Sequence, residues 1–355
     1  MGFNLDTQAT RSALMSVDTT LAANIDATQD YIPVASTTNF STSVVAEVES
    51  TNEVVSFGSV TTNLATYSEQ FNNATWNPSE VTVTTEAGVA PDGTTTADKI
   101  TPSTNSTTNH WLFQSHSTAN HTYSVFAKPD GYDFINIILW VAGTTSQGVQ
   151  FNVSTGAIVT SQNATGTITD AGNGWYRCSI IPTTSSTSAY AMLQPNDGST
   201  PNTSSHFRSS FAGDGTKGVL LWGAQLEATA LTGYLPTVAS SVSGLTTVTR
   251  GANGTTAASA SSGDDIQQLP YALLNVDMPV RLTGLSVSSD GTGAGRLTLC
   301  DKVGTHLCDV DIPDTKIFDL TFDGGILFPN GIYVANSDNL TAYTLYTDKY
   351  SGDSL

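Results

Sequence analysis

Tryptophan and asparagine are the residues of this chain best suited to bind a ligand. An indole face packs against the apolar face of a sugar ring, and an asparagine amide supplies directed hydrogen bonds. Trp76 is flanked by three asparagines at positions 72, 73 and 77, so this segment is the first candidate for glycan contact. The predicted glycan-binding residues are Trp76, Asn73, Asn77 and Trp111, with core packing as the alternative for both tryptophans. Trp140, Trp175 and Trp222 lie in apolar runs, which predicts core positions for them.

Histidines and aspartates raise the question of a metal site. His110, His116 and His121 are spaced by six and five residues, which matches no helix-borne zinc motif. His110 and His116 share strand parity, so a metal site on one sheet face is an alternative to surface hydrogen bonding. Asp309 and Asp311 also share a strand face, but the calcium loop pattern D-x-[DN]-x-[DN]-G is absent. We predict no metal and no other cofactor.

Catalytic motifs are missing from the sequence. It contains no GxSxG elbow, P-loop or GxGxxG turn. With 31 acidic residues, a glycosidase carboxylate pair is not excluded by counting, but none lies in a context that predicts a raised pKa. We therefore predict no catalytic residue, with a polysaccharide-degrading enzyme as the less favoured alternative.

The composition indicates which elements must position these side chains. The 355 residues carry 31 acidic and 12 basic groups, a net charge of −19, and 39 Ser with 55 Thr. Dispersed aromatic residues exclude a disordered chain, while Thr, Val, Ser and Tyr favour strands over helices. No Lys or Arg occurs between Ser12 and Asp98, so little is available to neutralise nucleic-acid phosphates. No run approaches the ~18 apolar residues of a membrane span. We predict a mainly β protein with neither nucleic-acid binding nor membrane insertion.

The first 29 residues have a different pattern from the rest. Leu14, Val17, Leu21 and Ile25 recur at steps of three and four, which predicts a short helix, with a frayed tail as the alternative. The first 20 residues show no secretory signal pattern, so we expect assembly in a reducing cytoplasm.

Short β runs fill the remainder. Between residues 63 and 238, about ten strands separated by turns such as Gly172-Asn173-Gly174 are typical of a two-sheet jelly roll. After residue 269, about seven alternating strands predict a small β-sandwich. Cys300 and Cys308 flank a predicted hairpin turn there, and a cross-strand disulfide is the less favoured alternative to free thiols. Arg177, in GNGWYRC, is expected to pair with a buried acid.

Several segments of the chain resemble a known family. In order they are APDGTTTADKI (90–100), YSVFAKPDGYDFI (123–135), FNVSTGAIV (151–159), GNGWYRCSI (172–180) and LLWGAQLEATALTGYLPT (220–237). Together they are similar to the concanavalin A-like, carbohydrate-binding-type module of tailed-phage virion proteins, over about half the chain. GNGWYRC and WGAQLE…YLPT are the most specific elements. The resemblance implies a jelly-roll sandwich.

A second resemblance is split in two. Residues 31–60 and 246–268 resemble consecutive halves of one small β module of phage structural proteins, and residues 269–355 resemble small sandwich domains of marine phage virions. The domain prediction is therefore 1–29 for an N-terminal helical attachment segment, 30–61 with 246–268 for the split module, 62–245 for the inserted lectin-like jelly roll, and 269–355 for the C-terminal sandwich.

These resemblances imply a non-enzymatic structural protein of a tailed-phage virion. It would be a capsid decoration, a head fibre or a tail-associated fibre that displays the lectin-like module outward. The expected partners are other virion proteins and further copies of the chain, since such proteins are homo-oligomers, commonly trimers. The expected location is the virion, assembled in the host cytoplasm. A receptor-binding protein that recognises host surface glycans is the alternative.

Overall fold

The computed structural model describes most of the chain as β structure. The described residues are 18–37, 40, 45–48, 50–51, 53–105, 110–119, 121–141, 146–183, 187–204, 206–228, 230–252, 255–268, 271–274, 280–289, 295–300, 306–313, 317–328, 332–338 and 340–349. Within them we find 25 strands and no helix, so the prediction of a mainly β protein is confirmed. None of the described segments forms a helix with the length and apolarity to cross a membrane.

The strands are numbered in chain order. The first four are β1 (Asp18–Thr20), β2 (Tyr31–Val34), β3 (Val45–Val48) and β4 (Glu53–Asn63). Then come β5 (Trp76–Ser79), β6 (Val81–Gly88), β7 (Ala97–Pro102), β8 (Trp111–Ala119), β9 (Thr122–Asp130), β10 (Phe134–Trp140), β11 (Gln147–Asn152), β12 (Ala157–Gln162), β13 (Ala164–Gly172), β14 (Trp175–Pro182), β15 (Thr187–Asn196) and β16 (Gly218–Glu227). The last nine are β17 (Val242–Thr249), β18 (Asp265–Gln268), β19 (Tyr271–Leu274), β20 (Val280–Ser289), β21 (Gly295–Cys300), β22 (His306–Ile312), β23 (Ile317–Phe328), β24 (Ile332–Asp338) and β25 (Leu340–Lys349).

The chain divides into two compact units. Unit 2 is continuous and spans Thr61–Thr246, whereas unit 1 combines Met1–Val60 with Thr247–Leu355. The chain leaves unit 1 along β4 and returns along β17, and these two strands are neighbours in one sheet.

Unit 2 is a β-sandwich of two six-stranded sheets. The front sheet has the order β12-β11-β10-β15-β8-β5, and the back sheet has the order β13-β14-β9-β16-β7-β6. Alternate residues of both sheets point into a shared core, as the strand period of two requires. Front-sheet examples are Ile135, Ile137 and Leu139, and Val125 and Leu221 face them from the back sheet.

The most deeply buried strand is β16, whose ten residues are all buried. Its largely apolar sequence GVLLWGAQLE, with only Gln225 and Glu227 polar, fits a strand covered on both faces. Gly223, at φ 63°, lies in a bulge between Trp222 and Gln225 where the strand shifts register against β9. An added Cβ there would lie 2.9 Å from the Phe126 ring, so glycine is required for both reasons.

The N-terminal sheet of unit 1 corrects the prediction of a helix within residues 1–29. Residues 18–20 form β1, and Leu21 and Ile25 make isolated bridges to Val34 and Ala260. Leu21 and Ile25 are 2% and 3% exposed, so their spacing of four reflects burial in two separate backbone pairings rather than one helix face. Residues 1–17, with Leu14 and Val17, lie outside the described residues. The sheet has the order β1-β18-β3-β4-β17-β2.

A buried ion pair joins distant segments of this sheet. Arg250 donates from Nε and Nη2 to the two carboxylate oxygens of Glu53, at 2.8 and 2.7 Å. The amides of Gly251 and Ala258 donate to the same carboxylate, and Arg250 Nη1 donates to the carbonyl of Asp26. Burial alone would raise the pKa of Glu53, but these hydrogen bonds outweigh it and hold the pKa below its usual value. The TRG segment of the sequence therefore fixes a turn.

The C-terminal part of unit 1 is a second sandwich. Four strands in the order β19-β24-β21-β22 share a core with three in the order β23-β20-β25. Cys308 is a buried free thiol and lies opposite Leu299, while Cys300 lies opposite His306, so the two cysteines are not a cross-strand pair. Asp309 accepts hydrogen bonds from Arg296 and Thr298 instead of standing as an unpaired surface charge.

Candidate functional site

The predicted glycan-binding residues separate into two environments. Trp76 is 2% exposed, its ring lies 4.9 Å from Phe71, and its Nε1 donates to the carbonyl of Tyr67 at 3.0 Å. The ring therefore offers no face to a ligand, and the core alternative holds for this residue. Asn73 accepts a hydrogen bond from the Thr75 amide, which closes the turn before β5.

Trp111 and Asn77 lie together on the outer face of the front sheet. In the pairing of β5 with β8, Asn77 is opposite Phe113 and Ser79 is opposite Trp111. Leu112, between the two aromatic residues, points into the core, so Trp111 and Phe113 point outward. The structure therefore brings two of the four predicted residues to one surface, and glycan binding by them stays a prediction.

Four half-buried aromatic side chains form a continuous surface there, which we call the aromatic shelf: Trp111, Phe113, Trp140 and Tyr190. The ring centroids of Phe113 and Tyr190 are 4.9 Å apart, and those of Tyr190 and Trp140 are 5.1 Å apart. Trp140 was predicted in the core and is instead half-buried on this face. The reason is parity, since Ile135, Ile137 and Leu139 of the same strand take the inward positions.

A loop that includes residues 199–204 and 206–211 packs on the outer face beside the shelf. Its anchor is Phe207, which is 0% exposed and packs on Ile138 and Met192 of the sheet. Directly beneath it lies Gly148 of β11, where an added Cβ would fall 2.3 Å from Phe207 Cδ1. The missing side chain at residue 148 therefore makes room for the anchor.

Buried amides fix the same loop to the sheet. Asn136 donates from Nδ2 to Gln194 Oε1 at 2.9 Å and to Ser209 Oγ at 3.2 Å. Gln194 donates to the Ser209 carbonyl and accepts from its amide, at 2.8 and 2.9 Å. Gln150 donates to the carbonyl of Ser199 at 3.0 Å. Each buried polar group thus contributes to holding the loop, as polar groups removed from water require.

Two adjacent residues of the loop have left-handed backbone conformations. His206 and Phe207 have φ values of 60° and 57°. Such conformations cost about 1–3 kcal/mol each for residues with a side chain, and they persist where surrounding contacts impose them. Here the buried Phe207 and the Ser209 hydrogen bonds impose them, and the result is a fixed position for His206 and Arg208.

His206 and Arg208 add polar groups to the shelf. The Arg208 guanidinium carbon lies 4.8 Å from the centroid of Trp111, a cation–π arrangement. The His206 ring lies 5.1 Å from that of Trp140, and its Nδ1 is 3.0 Å from Ser146 Oγ. Burial, and then the charge of Arg208, lower the pKa of His206, so His206 is neutral at pH 7. The shelf thus combines aromatic faces with one permanent cation.

The outer face of the back sheet has a similar composition but is covered. Trp222 is 5% exposed and packs on Tyr234 at 4.7 Å between ring centroids. Arg177 lies over the Phe126 ring at 5.4 Å and donates to the Thr232 carbonyl at 2.6 Å. The core prediction is thus correct for Trp222, and for Trp175, which is 1% exposed.

Arg177 is held by several groups of this face. It donates from Nη2 to Ser124 Oγ at 3.1 Å, in addition to the Thr232 carbonyl. Burial lowers the pKa of Arg177, and the charge of the fully buried Glu227 acts in the opposite direction. Glu227 in turn accepts hydrogen bonds from the hydroxyls of Thr61 and Thr232.

Two carboxyl groups of unit 2 have raised pKa values, which the sequence did not predict. Burial raises the pKa of Glu69, although a hydrogen bond from Tyr234 opposes the change. Burial also raises the pKa of Asp98, whose two oxygens accept from the amides of Phe71 and Glu86. Asp98 is thus used in connecting backbone segments, which is a structural task.

The histidines do not assemble into a metal centre in the described part of the chain. His110 is buried, and its two ring nitrogens lie 2.8 Å from the carbonyl oxygens of Glu80 and Phe211. Burial and then the charge of His121 lower the pKa of His116 to about 4. Among the described residues, no group of three or more His, Cys, Asp and Glu side chains is arranged to hold a metal ion.

The sequence did contain a signal for the missed shelf residues. In FINIILW, the polar Asn136 shares strand parity with Trp140, which marks one face of the run as different from the core. Tyr190 has the parity of Gln194 in AYAMLQP for the same reason. Arg208 had no comparable signal, because its position depends on the path of an irregular loop.

Comparison with known proteins assigns no family to the chain. No family model matches the sequence. No curated protein is significantly similar to it.

Proposed function

We propose that this chain is a non-enzymatic structural protein of a tailed-phage virion, and that unit 2 is a concanavalin A-like jelly-roll module displayed outward. In this proposal the N-terminal segment of residues 1–29 and the split module of residues 30–61 and 246–268 attach the protein to the particle as a capsid decoration, a head fibre or a tail-associated fibre. The assembled form is a homo-oligomer, commonly a trimer in proteins of this kind.

One observation carries the proposal: a complete sandwich interrupts another β unit between two neighbouring strands. The chain leaves unit 1 along β4 and returns along β17. Insertion at closely spaced chain ends leaves the host sheet intact, so a whole module can be added there without disrupting it. The segments that resemble phage modules, 90–100 through 220–237 and the split pair 31–60 with 246–268, follow this division of the chain.

The copy number per particle tests the proposal. Quantitative gel analysis of purified particles is expected to find the chain in every particle, in hundreds of copies for a capsid decoration and in tens or fewer for a fibre. If the purified particles lack the chain, the virion role is wrong.

A deletion tests the division of labour between the units. Residues 61–246 are removed, and Val60 is joined to Thr247 by an Asn-Gly turn suited to adjoining strands. The remainder is expected to fold and to bind particles as the full chain does. A folded remainder that does not bind particles would place attachment in unit 2 instead.

Recognition of host surface glycans is a second candidate function, and the aromatic shelf favours it. Monomeric proteins seldom leave contiguous aromatic surface half-exposed without a use, and sugar rings are suitable partners for such a surface. Asn77 and Ser79 lie across the strand pair from Phe113 and Trp111 and supply hydrogen-bonding groups at its edge.

A glycan array with the full chain tests this second function. We expect binding that is lost in Trp140→Ala, where an aromatic face of the shelf is removed. The matched control is Trp222→Phe on the covered face, which is expected to bind as the parent chain does. Equal binding by Trp140→Ala and the parent would exclude the shelf as the site.

A further inference from the structure

One side edge of unit 2 is built from a part of the chain that carries no charge. Between Asp133 and Asp170 there are 36 consecutive residues without a charged or histidine side chain, the longest such interval in the sequence. At the chain's 12% of charged residues, an interval of this length would carry about four. The interval forms β10, β11, β12 and most of β13. It ends where β12 and β13 are the outermost described strands of the front and back sheets.

This β12–β13 edge, defined as residues 157–169, also exposes apolar side chains. Six large apolar side chains are exposed among the described residues, and two of them, Ile158 and Val159, are adjacent on β12 at 44% and 49% exposure. A third, Ile181, is 37% exposed and lies opposite Thr165 of β13. The edge therefore offers an apolar surface whose polar side chains are hydroxyls and amides.

The opposite side edge of unit 2 is protected against association. There β5 and β6 are the outermost described strands. Pro78 lies in β5 and has no backbone donor, and the side chains of Glu80 and Glu86 are exposed. Proline and charged side chains are common means of keeping an edge strand from pairing with another chain. The β12–β13 edge contains neither.

A bulge determines how a partner would contact the β12–β13 edge. Gln150 pairs with Thr160 and Phe151 pairs with Ile158, so Val159 is the extra residue of a bulge in β12. A bulge interrupts the backbone ladder, which disfavours the addition of a further strand across it. A partner would therefore pack on the side chains of Ile158 and Val159 and not extend the sheet.

Net charge indicates which partner suits this edge. Each copy of the chain carries a net charge of −19, so two copies repel each other wherever their acidic surfaces meet. A basic partner would be attracted to those acidic surfaces and would gain nothing at an uncharged edge. At the β12–β13 edge, in contrast, a second copy of the chain meets no like charge.

We propose that copies of this chain contact one another through the β12–β13 edge, with Ile158 and Val159 of one copy packed on the same residues of the next. This inference rests on the homo-oligomer of the proposed function and adds the surface that joins the copies. Burial of the apolar side chains stabilises the contact. The absence of charge removes the repulsion that acidic surfaces of the chain would impose.

Two valine variants with the same change in charge test this surface in the full chain. Val159→Glu places a like charge on every copy at the contact, and Val89→Glu adds the same charge at a 58% exposed valine outside the edge. Sedimentation velocity over a range of concentrations measures the dissociation constant. Val89→Glu is expected to associate as the parent does, and Val159→Glu to raise the dissociation constant roughly tenfold or more. Urea unfolding checks that both variants are folded.

Mixtures of opposite charge test whether the same residue of two copies meets. An equimolar mixture of Val159→Glu and Val159→Lys is expected to associate more tightly than Val159→Glu alone, because the introduced charges then attract each other. The matched control is a mixture of Val159→Glu and Val89→Lys, which is expected to show no such gain.

Three results would overturn the inference: a parent chain that is monomeric at every concentration, equal association of Val159→Glu and Val89→Glu, or no gain in the mixture of opposite charges. The virion role is tested separately by the presence of the chain in particles. A monomeric chain found in particles would remove this inference and keep the virion role. An oligomer joined at this edge but absent from particles would do the reverse.

Discussion

The two outer faces of unit 2 contain similar residues but differ in how deeply the tryptophan of each face is buried. Each face has an arginine over an aromatic ring, Arg177 over Phe126 and Arg208 over Trp111. Each also has tryptophan and tyrosine rings in contact, Trp222 with Tyr234 and Trp140 with Tyr190. On the back face Trp222 is buried and Phe126 and Tyr234 are half-buried against it, while on the front face Trp111, Trp140 and Tyr190 are all half-buried.

This difference shows that residue type alone does not distinguish a candidate binding surface from a core. The back-face donors have their partners within the chain: Trp222 Nε1 donates to Thr96 Oγ1 and Trp175 Nε1 donates to the Val89 carbonyl. The front-face loop is held by the hydrogen bonds between Ser209 and Gln194, and its Arg208 and His206 side chains pack against Trp111 and Trp140, which stay half-buried.

Removing a tryptophan from each face should give the largest contrast. Trp222→Ala empties a buried site and is expected to lower the free energy of unfolding by about 3–5 kcal/mol. Trp140→Ala removes a half-buried ring and is expected to cost about 1–2 kcal/mol. All five tryptophans lie in unit 2, so their fluorescence during urea unfolding follows this unit alone. Equal losses in the two variants would show that the front face is as closed as the back face.

The two arginines provide a charge-matched contrast of smaller size. Arg177→Met leaves the half-buried Thr232 carbonyl without its donor and the buried Glu227 without a compensating charge, and should cost about 2–4 kcal/mol. Arg208→Met removes the cation–π contact with Trp111 at a half-buried site and should cost less, about 1 kcal/mol. Urea unfolding measures both. A loss in Arg208→Met that matched the Arg177→Met loss would give Arg208 a structural task comparable to that of Arg177.

Strand patterning made the β-sandwich character predictable, but not which face of a strand is covered. FINIILW and GVLLWGAQLE both read as buried runs, and β16 is buried throughout. Trp140 lies outward because it shares strand parity with Asn136, while Ile135, Ile137 and Leu139 take the inward positions of β10. Whether the outer face of a strand is buried depends on a segment distant in the sequence. Neither periodicity nor composition predicts where that segment packs.

The N-terminal segment and the candidate site show two further limits. Leu21 and Ile25 have helical spacing, yet each is buried by a separate bridge to a remote residue, so tertiary pairing overrode the local pattern. Trp76 lies among asparagines, yet its ring is in the core, because polar residues at a turn say little about the residue between them. The sequence named Trp111 and Asn77 as candidates, whereas the position of Arg208 depends on a loop conformation with two positive φ values.

Filling the space under the front loop should open that face further. Gly148→Ala places a Cβ against Phe207, so the anchor must move, and unit 2 is expected to lose about 1–3 kcal/mol. The double variant with Phe207→Ala should cost less than the sum of the two single changes, because the anchor is then already absent. Additive losses in urea unfolding would mean that Gly148 and Phe207 do not compete for one space.

The smallest expected contrast is in how the free energy of unfolding depends on pH through one titrating residue on each face. Burial raises the pKa of Glu69 on the back face, so the folded state retains a proton that the unfolded state has already lost. Stability therefore falls as the pH rises from about 4.5 through the folded pKa, and levels off above it. Glu69→Gln keeps an acceptor for the Tyr234 hydroxyl and removes the titrating group. Its free energy of unfolding should therefore equal that of the parent near pH 4 and exceed it at pH 7 by no more than about 1 kcal/mol.

On the front face burial lowers the pKa of His206 instead. The stability that comes from keeping His206 neutral is therefore present above pH 6.5 and is lost as the pH falls through the folded pKa. Urea unfolding of Glu69→Gln and His206→Asn between pH 4 and 8 checks both directions. The glutamine variant should differ from the parent only toward neutral pH, and the asparagine variant should remove a loss of stability on the acid side. If both variants deviated in the same pH range, the two faces would share one titrating environment, and their separation into a closed face and an open face would fail.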